Sequence, residues 1–446
     1  MTASTGNTET RSMLLNVGPA HPAMHGVIRL ITELEGEKVV KVEAEIGYLH
    51  RAFEKSCENS SWTQAIPYTD RLNYVSPLIN NFGYCGAVEK LLGIRITERC
   101  QYIRVIMGEI SRITDHLTCI AASAMELGAM TAFLYLMKAR EYLYEIIEEV
   151  TGARLTISYG RIGGVKGDFP AGLEERLETA LIKTEKEIRE VDKLLTRNRI
   201  FVDRTRDVGV LKREDAVSYA ITGPLGRASG INYDVRKAFP YCVYDRVDFE
   251  VPLGERGDNY DRYIVRMEEM RQSIRIIRQC VRDLPGGPVN ADANDKAIRS
   301  FDLVDEAKLG HTAGLVNASA TVEPTLEGSE RPFHERIMTA DKKVSLPDKG
   351  NTYGNIEGLM NHFKLIMDSH GICPPAGDTY FAVEGANGEL GFYVASNGKD
   401  RPYRVRVRPP CFFSMAGIHK MLEGYMVADI VATFGSINMI AGELDR

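Results

Sequence analysis

Residues 103–127 read Ile103-Arg104-Val105-Ile106-Met107-Gly108-Glu109-Ile110-Ser111-Arg112-Ile113-Thr114-Asp115-His116-Leu117-Thr118-Cys119-Ile120-Ala121-Ala122-Ser123-Ala124-Met125-Glu126-Leu127. Ile103, Ile106, Ile110, Ile113, Leu117, Ile120, Ala124 and Leu127 recur at alternating steps of three and four, which holds one apolar face for more than six helical turns. A stripe of that length needs other helices to cover it, so it predicts the core of a helical bundle. The run from His116 to Met137 carries Glu126 as its one formal charge, but it is built from Ala, Gly, Ser and Thr rather than Leu and Ile. It reads as a buried helix and not as a membrane span.

Outward from this stretch, the helical pattern begins near Leu78 and resumes after Gly128, over Phe133 to Val150, to stop near Gly152. A second stripe is Leu173, Leu177, Leu181, Ile188, Val191 and Leu195. A third helix is predicted over Asp258 to Val281, with Ile264, Met267, Met270, Ile274 and Ile277 inward. Towards the N-terminus, Ser12 to Val17 suits a strand. Val27 to Leu34 and Val39 to Ile46 flank Glu35-Gly36-Glu37-Lys38, which is a hairpin signal. Towards the C-terminus, a helix around Ile356 to Met367 precedes strands near Tyr380–Val383, Gly391–Ala395 and Tyr403–Val407, with turns at Asn387-Gly388 and Asn397-Gly398. Gly286 to Asn351 is rich in Asp, Asn, Ala, Gly and Pro and reads as a surface insertion. The expected class is α+β: a long-helix bundle with a small N-terminal β-sheet and a β-rich C-terminal region. Its segments are 1–76 (sheet and site loop), 77–285 (bundle), 286–351 (insertion) and 352–446 (C-terminal α+β).

The chain has 446 residues, 44% hydrophobic and 26% charged, the balance of an ordinary globular protein. Fifty-five basic against 61 acidic side chains leave a net charge of -6, which gives no electrostatic ground for binding nucleic acid. No two of the eight cysteines lie within four residues of one another. That spacing argues against a structural zinc knuckle or a local Fe–S site, and for reduced, mostly buried thiols of a cytosolic protein. Met1 to Thr10 is polar and lacks the apolar stretch of a secretory signal. The glycine-rich stretches 160–172 and 223–230 have neither phosphate-loop nor dinucleotide order, so dinucleotide binding by this chain is not expected.

Chemistry concentrates first in Gly18-Pro19-Ala20-His21-Pro22-Ala23-Met24-His25-Gly26. Two His four apart would share a helix face, but Pro22 and the flanking glycines argue against a helix. The spacing alone fits a structural loop, a polar ligand or proton-transfer role, or part of a metal site lacking its third ligand.

This loop resembles the opening of the D subunit of NADH:quinone oxidoreductase, respiratory complex I. The resemblance runs on through Ile46-Gly47-Tyr48-Leu49-His50-Arg51, Phe53-Glu54-Lys55, Asp70-Arg71-Leu72-Asn73-Tyr74 and Ala87-Val88-Glu89-Lys90-Leu91-Leu92. It continues in Gly128-Ala129-Met130-Thr131, Arg161-Ile162-Gly163-Gly164-Val165 and Asn232-Tyr233-Asp234-Val235-Arg236-Lys237. It closes with Val251-Pro252-Leu253-Gly254-Glu255-Arg256-Gly257-Asp258 and Gly442-Glu443-Leu444-Asp445-Arg446. It covers nearly everything outside the 286–351 insertion.

The resemblance implies a fold similar to the large subunit of NiFe hydrogenases, with the metal site lost. The chain lacks the two CxxC pairs that would hold a NiFe centre. It further implies a quinone as substrate, no metal or Fe–S cluster on this chain, and electrons from a 4Fe–4S cluster in a partner small subunit. The expected partners are that subunit, other subunits of the peripheral arm, and membrane-arm subunits where the quinone comes in. The expected location is peripheral, on the cytoplasmic side of the membrane. By motif, His25 and Tyr74 would bind the quinone and give it protons, and His21 would join them as a binding residue. Free His titrates near about 6.5 and Tyr near about 10, so both can give a proton as charge builds on an oxygen. Glu126 stands where the family has an Asp that pairs with the His, and Arg51 and Arg71 match positions near the partner's cluster. Met13, Met24, Met125 and Met130 are candidates to line a lipophilic tunnel, though such methionines also suit plain core.

Two further departures accompany Glu126. Asn438 replaces an Asp, and Thr156 stands where many members carry a His close to the cluster. Thr does not titrate near neutrality. The partner cluster's potential should therefore depend less on pH than in relatives with the His, which a redox titration across pH would measure. A noncatalytic scaffold in a related membrane complex is the competing reading, kept open by these three departures.

Overall fold

The computed structural model describes residues 12–287, 289–290, 337–338, 347, 349–367 and 371–446. Most of the 286–351 insertion and the Met1 to Thr10 stretch lie outside the described residues.

The striped segment forms one helix, Glu98–Glu126, here α2. Thr97 caps its N-terminus by accepting the Cys100 N–H. The stripe is buried as expected, but so are Glu109, Arg112, Asp115 and His116 on its other faces. The helix is therefore central, enclosed on all sides rather than on one. Its neighbours are Pro77–Leu92 (α1), Met130–Thr151 (α3) and, through α3, Leu173–Leu195 (α4), with Asn259–Arg282 (α5) against its far side. The chain turns between α2 and α3 at Gly128, whose φ of 87° is the left-handed conformation that glycine adopts freely. Among the described residues no helix is long and apolar enough to cross a membrane.

The N-terminal sheet consists of Ser12–Val17 (β1), Arg29–Glu35 (β4) and Lys38–Glu45 (β5), antiparallel in the order β1-β4-β5. Between β1 and β4 lies a short hairpin of Ala20–His21 (β2) and Gly26–Val27 (β3). The C-terminal sheet is a meander of Gly377–Gly385 (β6), Gly388–Ser396 (β7) and Arg404–Arg408 (β8). The expected strands are present, with a tight turn at Ala386-Asn387 before Gly388, but a longer loop over 397–403 takes the place of the turn expected at Asn397-Gly398.

Four C-terminal helices were not expected from the sequence: Pro410–Ala416, Ile418–Leu422, Val427–Ile437 (α6) and Ala441–Leu444 (α7). Their apolar residues pack with the N-terminal sheet into a second core that joins Leu30, Val39 and Met24 to Met421, Phe434 and Met439. The Val39 backbone bonds in both directions with the 424–425 turn, at 2.8 Å each. The N-terminal sheet is thus a partner of the last forty residues rather than a separate body.

A buried ionic cluster ties α2, α5 and β6 together. Arg236 bonds Glu109 at 3.0 Å and Asp234 at 2.7 Å, while Arg227 bonds Glu269 at 2.7 Å and Glu384 at 2.8 Å. His116 Nε2 meets Glu269 at 2.8 Å. Burial by itself would raise the Glu109 carboxyl. Arg112 and Arg236, helped by the Ser273 and Tyr244 hydroxyls, bring it down to about 2. Burial, and then the Asp234 charge, raise the Glu384 carboxyl, with Arg227, Arg112 and Arg236 opposing them.

Candidate functional site

The β2–β3 hairpin presents His25. A single 3-10 turn over Pro22–Met24 bends the chain, and His21 caps it by accepting the Ala23 N–H on Nδ1 at 3.2 Å. Gly18 is fixed by sterics, because a Cβ there would collide with the Ile28 carbonyl. His25 closes the turn at φ 48°, a left-handed conformation that costs a non-glycine residue about 1–2 kcal/mol. Two contacts hold it there. Its N–H bonds the Pro22 carbonyl at 3.2 Å, and its Nε2 lies 2.8 Å from Glu126 Oε1. The Phe434 ring stands edge-on to the imidazole, with centroids 6.4 Å apart.

Glu126 is the last residue of α2, with its side chain 10% exposed. Oε1 holds His25, whereas Oε2 is buried with no hydrogen-bond partner. A helix C-terminus carries partial negative charge, so an anion there is disfavoured unless a cation faces it. The group that faces Glu126 is the His25 imidazole. The extra methylene of Glu relative to Asp does not break the contact, since the longer side chain reaches the imidazole.

Tyr74 lies on the loop before α1, half-buried against the second core. Neighbouring residues pin the loop. Asn73 Nδ2 and Ser76 Oγ both donate to Asp115 Oδ2 at 2.8 Å, and Asn73 Oδ1 accepts the Val75 N–H at 3.1 Å. Asn438 Nδ2 donates to Asp115 Oδ1 at 2.7 Å and to Asn387 Oδ1 at 2.6 Å. Asp115 is fully buried and accepts all three donors. The Tyr74 hydroxyl makes no hydrogen bond among the described residues. Burial, then the neighbouring Cys411 and Asp115, push its pKa up, so it stays protonated and able to donate.

The segment Met439 to Gly442 lies between the two loops. A Cβ on Gly26 would meet Ala441 Cβ at 3.2 Å and Met439 Cε at 3.3 Å. One on Gly442 would meet the Arg71 carbonyl at 2.5 Å and Tyr74 Cδ1 at 3.3 Å. The His25 hairpin and the Tyr74 loop therefore flank the same short piece of chain. Beyond it, Asp445 accepts the Gly47 and Leu49 N–H groups at 2.9 Å each, and Arg446 bonds Glu54 at 3.0 Å.

Arg51 and Arg71 are also brought together, both exposed, with Arg51 donating to the Arg71 carbonyl. Burial, and then the Arg71 charge, draw the Arg51 pKa down. His21 is exposed on the hairpin arm opposite His25, and Thr156 is exposed as well. Of the four methionines, Met24 is core, while Met13, Met125 and Met130 are exposed. All eight cysteines are free thiols, buried except Cys373. Among the described residues no three His, Cys, Asp or Glu side chains converge as a metal site would require.

The family pattern described as "Respiratory-chain NADH dehydrogenase, 49 Kd subunit" matches residues 126–446. The chain belongs to this family. It is 48% identical over 438 residues to the NADH-quinone oxidoreductase D subunit of Myxococcus xanthus, covering 98% of this chain and 94% of that one. It is likewise 48% identical over 434 residues to the D subunit of Pelobacter propionicus, with 97% and 95% coverage. A Bdellovibrio bacteriovorus relative, named as a joined C/D subunit, is 46% identical, and the match spans 97% of this chain but 68% of that longer one. As a member of the 49 kDa family, the chain is a subunit of NADH-quinone oxidoreductase and works together with other complex I subunits.

Sequence reading passed over several residues that build this site of the 49 kDa family member. Asp115, Asn73, Asn387, Cys411 and Glu443 are all buried and all belong to the Tyr74 surroundings. Asp115 could have been suspected as a carboxylate between Ile113 and Leu117 of the deciding stripe. The others lie in segments without periodicity.

Proposed function

We propose that the chain forms the wall of the quinone-reducing site, and that His25 and Tyr74 supply the two protons that turn a quinone into a quinol. The observation that carries this reading is the His25–Glu126 contact at 2.8 Å on a left-handed loop, set across Met439–Gly442 from a tyrosine with an uncommitted hydroxyl. A scaffold would have no use for a strained histidine and an unpartnered buried carboxylate oxygen.

When bound in the partner small subunit, a 4Fe–4S cluster would supply the two electrons one at a time. The rest is done by side chains of this chain. His25 and Tyr74 each donate a hydrogen bond to one quinone oxygen. As negative charge grows on those oxygens, each bond becomes a proton transfer. His25 is left neutral, and Glu126 then becomes an unpaired carboxylate at a helix C-terminus, the least favourable place for one. That electrostatic stress is the signal passed towards the membrane arm.

Arg51 and Arg71 are a pair of exposed like charges, and a reduced, more negative cluster would relieve their repulsion. The exposed Ile46, Tyr48, Leu49 and Tyr68 are neighbours of these arginines in sequence and fit the interface with the Fe–S subunit. The joined C/D name of the Bdellovibrio relative supports a C-type chain as a further partner.

Substituting Glu126 by Gln keeps the shape and removes the charge. In the assembled complex, Glu126→Gln should retain quinone binding but translocate fewer protons per quinone reduced, read as a proton-to-electron ratio in sealed vesicles. A ratio and rate equal to those of the parent would end the proposal for Glu126. For the site as a whole, a photoreactive quinone analogue should label the His25 hairpin or the Tyr74 loop. Labelling confined to other subunits would exclude it.

A further inference from the structure

Among the described residues Arg104, Arg112, Arg227, Arg236, Arg262 and Arg266 are each at most 3% exposed. Four of them meet a carboxylate. Arg104 meets Glu89 at 2.6 Å and Arg112 meets Glu109 at 3.2 Å, while Arg227 and Arg236 meet the acids of the ionic cluster. Arg262 and Arg266, one turn apart on α5, make only neutral contacts. Arg262 donates to Asn259 Oδ1 at 2.9 Å, Ser436 Oγ at 3.0 Å and the Gly209 and Gly257 carbonyls at 2.6 and 3.0 Å. Arg266 reaches the Arg262 and Ile437 carbonyls at 3.4 and 3.3 Å, and its Nε is buried with no hydrogen-bond partner among the described residues.

Arg266 is also the one charged side chain that lines a cavity of about 20 Å³ between α2, α5 and α6. Cys119 and Ser123 of α2, Asn259 and Tyr263 of α5, and Ala432 and Ser436 of α6 form much of the rest of its wall. A water needs roughly 10–15 Å³ of such space, so the cavity suits one water or one monatomic anion and is too small for sulfate, phosphate or a carboxylate ligand. The Ser123 and Ser436 hydroxyls donate to the Gly435 and Thr433 carbonyls at 2.7 Å each. The Cys119 thiol, 3.9 Å from the Gly435 carbonyl, is free to turn to another acceptor. A neutral water would satisfy the Arg266 Nε–H but leave both guanidinium charges uncompensated in the core, which is costly. Buried carboxylates on the same two helices are committed elsewhere: Asp115 to Asn73, Ser76 and Asn438, and Glu269 to Arg227 and His116. Burial, and then the Arg266 charge, draw Arg262 down to about 9 against the pull of Asp258, Tyr425 and Asp261.

We propose that this cavity binds one monovalent anion of halide size, held by Arg266 Nε with the Cys119 thiol as a second donor, and that the anion is the counter-charge of the Arg262–Arg266 pair. The inference is independent of the roles given to His25 and Tyr74. Size and charge together select the ligand: a chloride-like ion fits where a polyatomic anion does not, and it neutralises where a water does not. The site also has a place in the architecture. Phe434 of α6 stands against the His25 ring, and Ser123 lies one turn before Glu126 on α2. A bound anion ties α5 to the two helices that surround the His25–Glu126 contact.

The test uses the assembled complex, exchanged into sodium gluconate, whose anion is too large for the cavity, and titrated with sodium bromide at constant ionic strength. The thermal midpoint for loss of this subunit should rise saturably, by about 2–4 °C once bromide is well above its Kd. Arg266→Met removes the charge at similar volume and should abolish the response. Ala432→Val narrows the cavity, leaves both arginines in place and should weaken it. In crystals of the parent complex grown with bromide, an anomalous-scattering peak should stand beside Arg266 Nε. If Arg266→Met fails to assemble, the bromide peak and Ala432→Val decide. Equal midpoints in gluconate and bromide overturn the inference. So does a bromide response as large in Arg266→Met as in the parent, which marks a general salt effect. Density beside Nε without anomalous signal identifies a plain buried water and overturns it as well.

Discussion

Tyr74→Phe should lower the rate of quinone reduction by about 100-fold or more, the usual contribution of a positioned proton donor. The substitution removes one oxygen that has no protein partner among the described residues, so the fold loses no hydrogen bond there. Asn73, Ser76 and Asp115 still hold the loop, and the ring still packs against Gly442. The loss should therefore appear in kcat with quinone as acceptor, with little change in NADH oxidation by ferricyanide and unchanged content of the chain in the complex. Tyr74→Phe with a kcat close to the parent's would remove Tyr74 from the chemistry. A general destabilisation would instead lower both activities together.

The second large effect concerns stability. Arg227→Met should destabilise the subunit by about 3–5 kcal/mol, the cost of leaving a buried charge without its partner. Arg227 is 1% exposed and is the contact shared by Glu269 and Glu384, with Asp234 at 3.6 Å. Met fills a similar volume but leaves these carboxyls facing one another. The measurements are the thermal midpoint of the complex and retention of the subunit through purification, and both should fall. Arg227→Lys should rescue little, because a single ammonium cannot reproduce the Nε and Nη1 contacts to two different carboxylates. A midpoint equal to the parent's would mean that the cluster carries far less of the stability than its burial implies.

Apolar stripes and buried charges differ in how far they can be read beforehand. The bundle was legible because α2, α4 and α5 each repeat apolar residues at helical spacing for several turns. The strands around Gly36 and Gly388 were legible from their turns. The α6 helix was not, because its 11 residues offer only about three turns, and Asp429, Thr433 and Ser436 interrupt its apolar side chains. The four-residue α7 is too short to show one. Charges such as Glu109, Arg227 and Arg236 resemble surface residues in sequence. Their charged partners are as much as 157 positions away, and local spacing carries no information about such pairings.

In the site, His25, Tyr74 and Glu126 came from motif resemblance, and the structure adds that Glu126 reaches the imidazole at 2.8 Å. Asp115 stands out in the sequence only as a carboxylate within an apolar stripe, and its anchoring of the Tyr74 loop depends on chain segments that meet only in the folded molecule.

The clasp of Asp445 on Gly47 carries a consequence for biosynthesis, since the two residues are 398 positions apart. A ribosome adding 5–20 residues each second needs about 20–80 s to make the intervening polypeptide. Throughout that interval the inner face of the first sheet has emerged without the segments that later cover it. The nascent subunit is thus exposed to aggregation for most of its translation, and a holding chaperone acting early should raise its yield more than one acting after release.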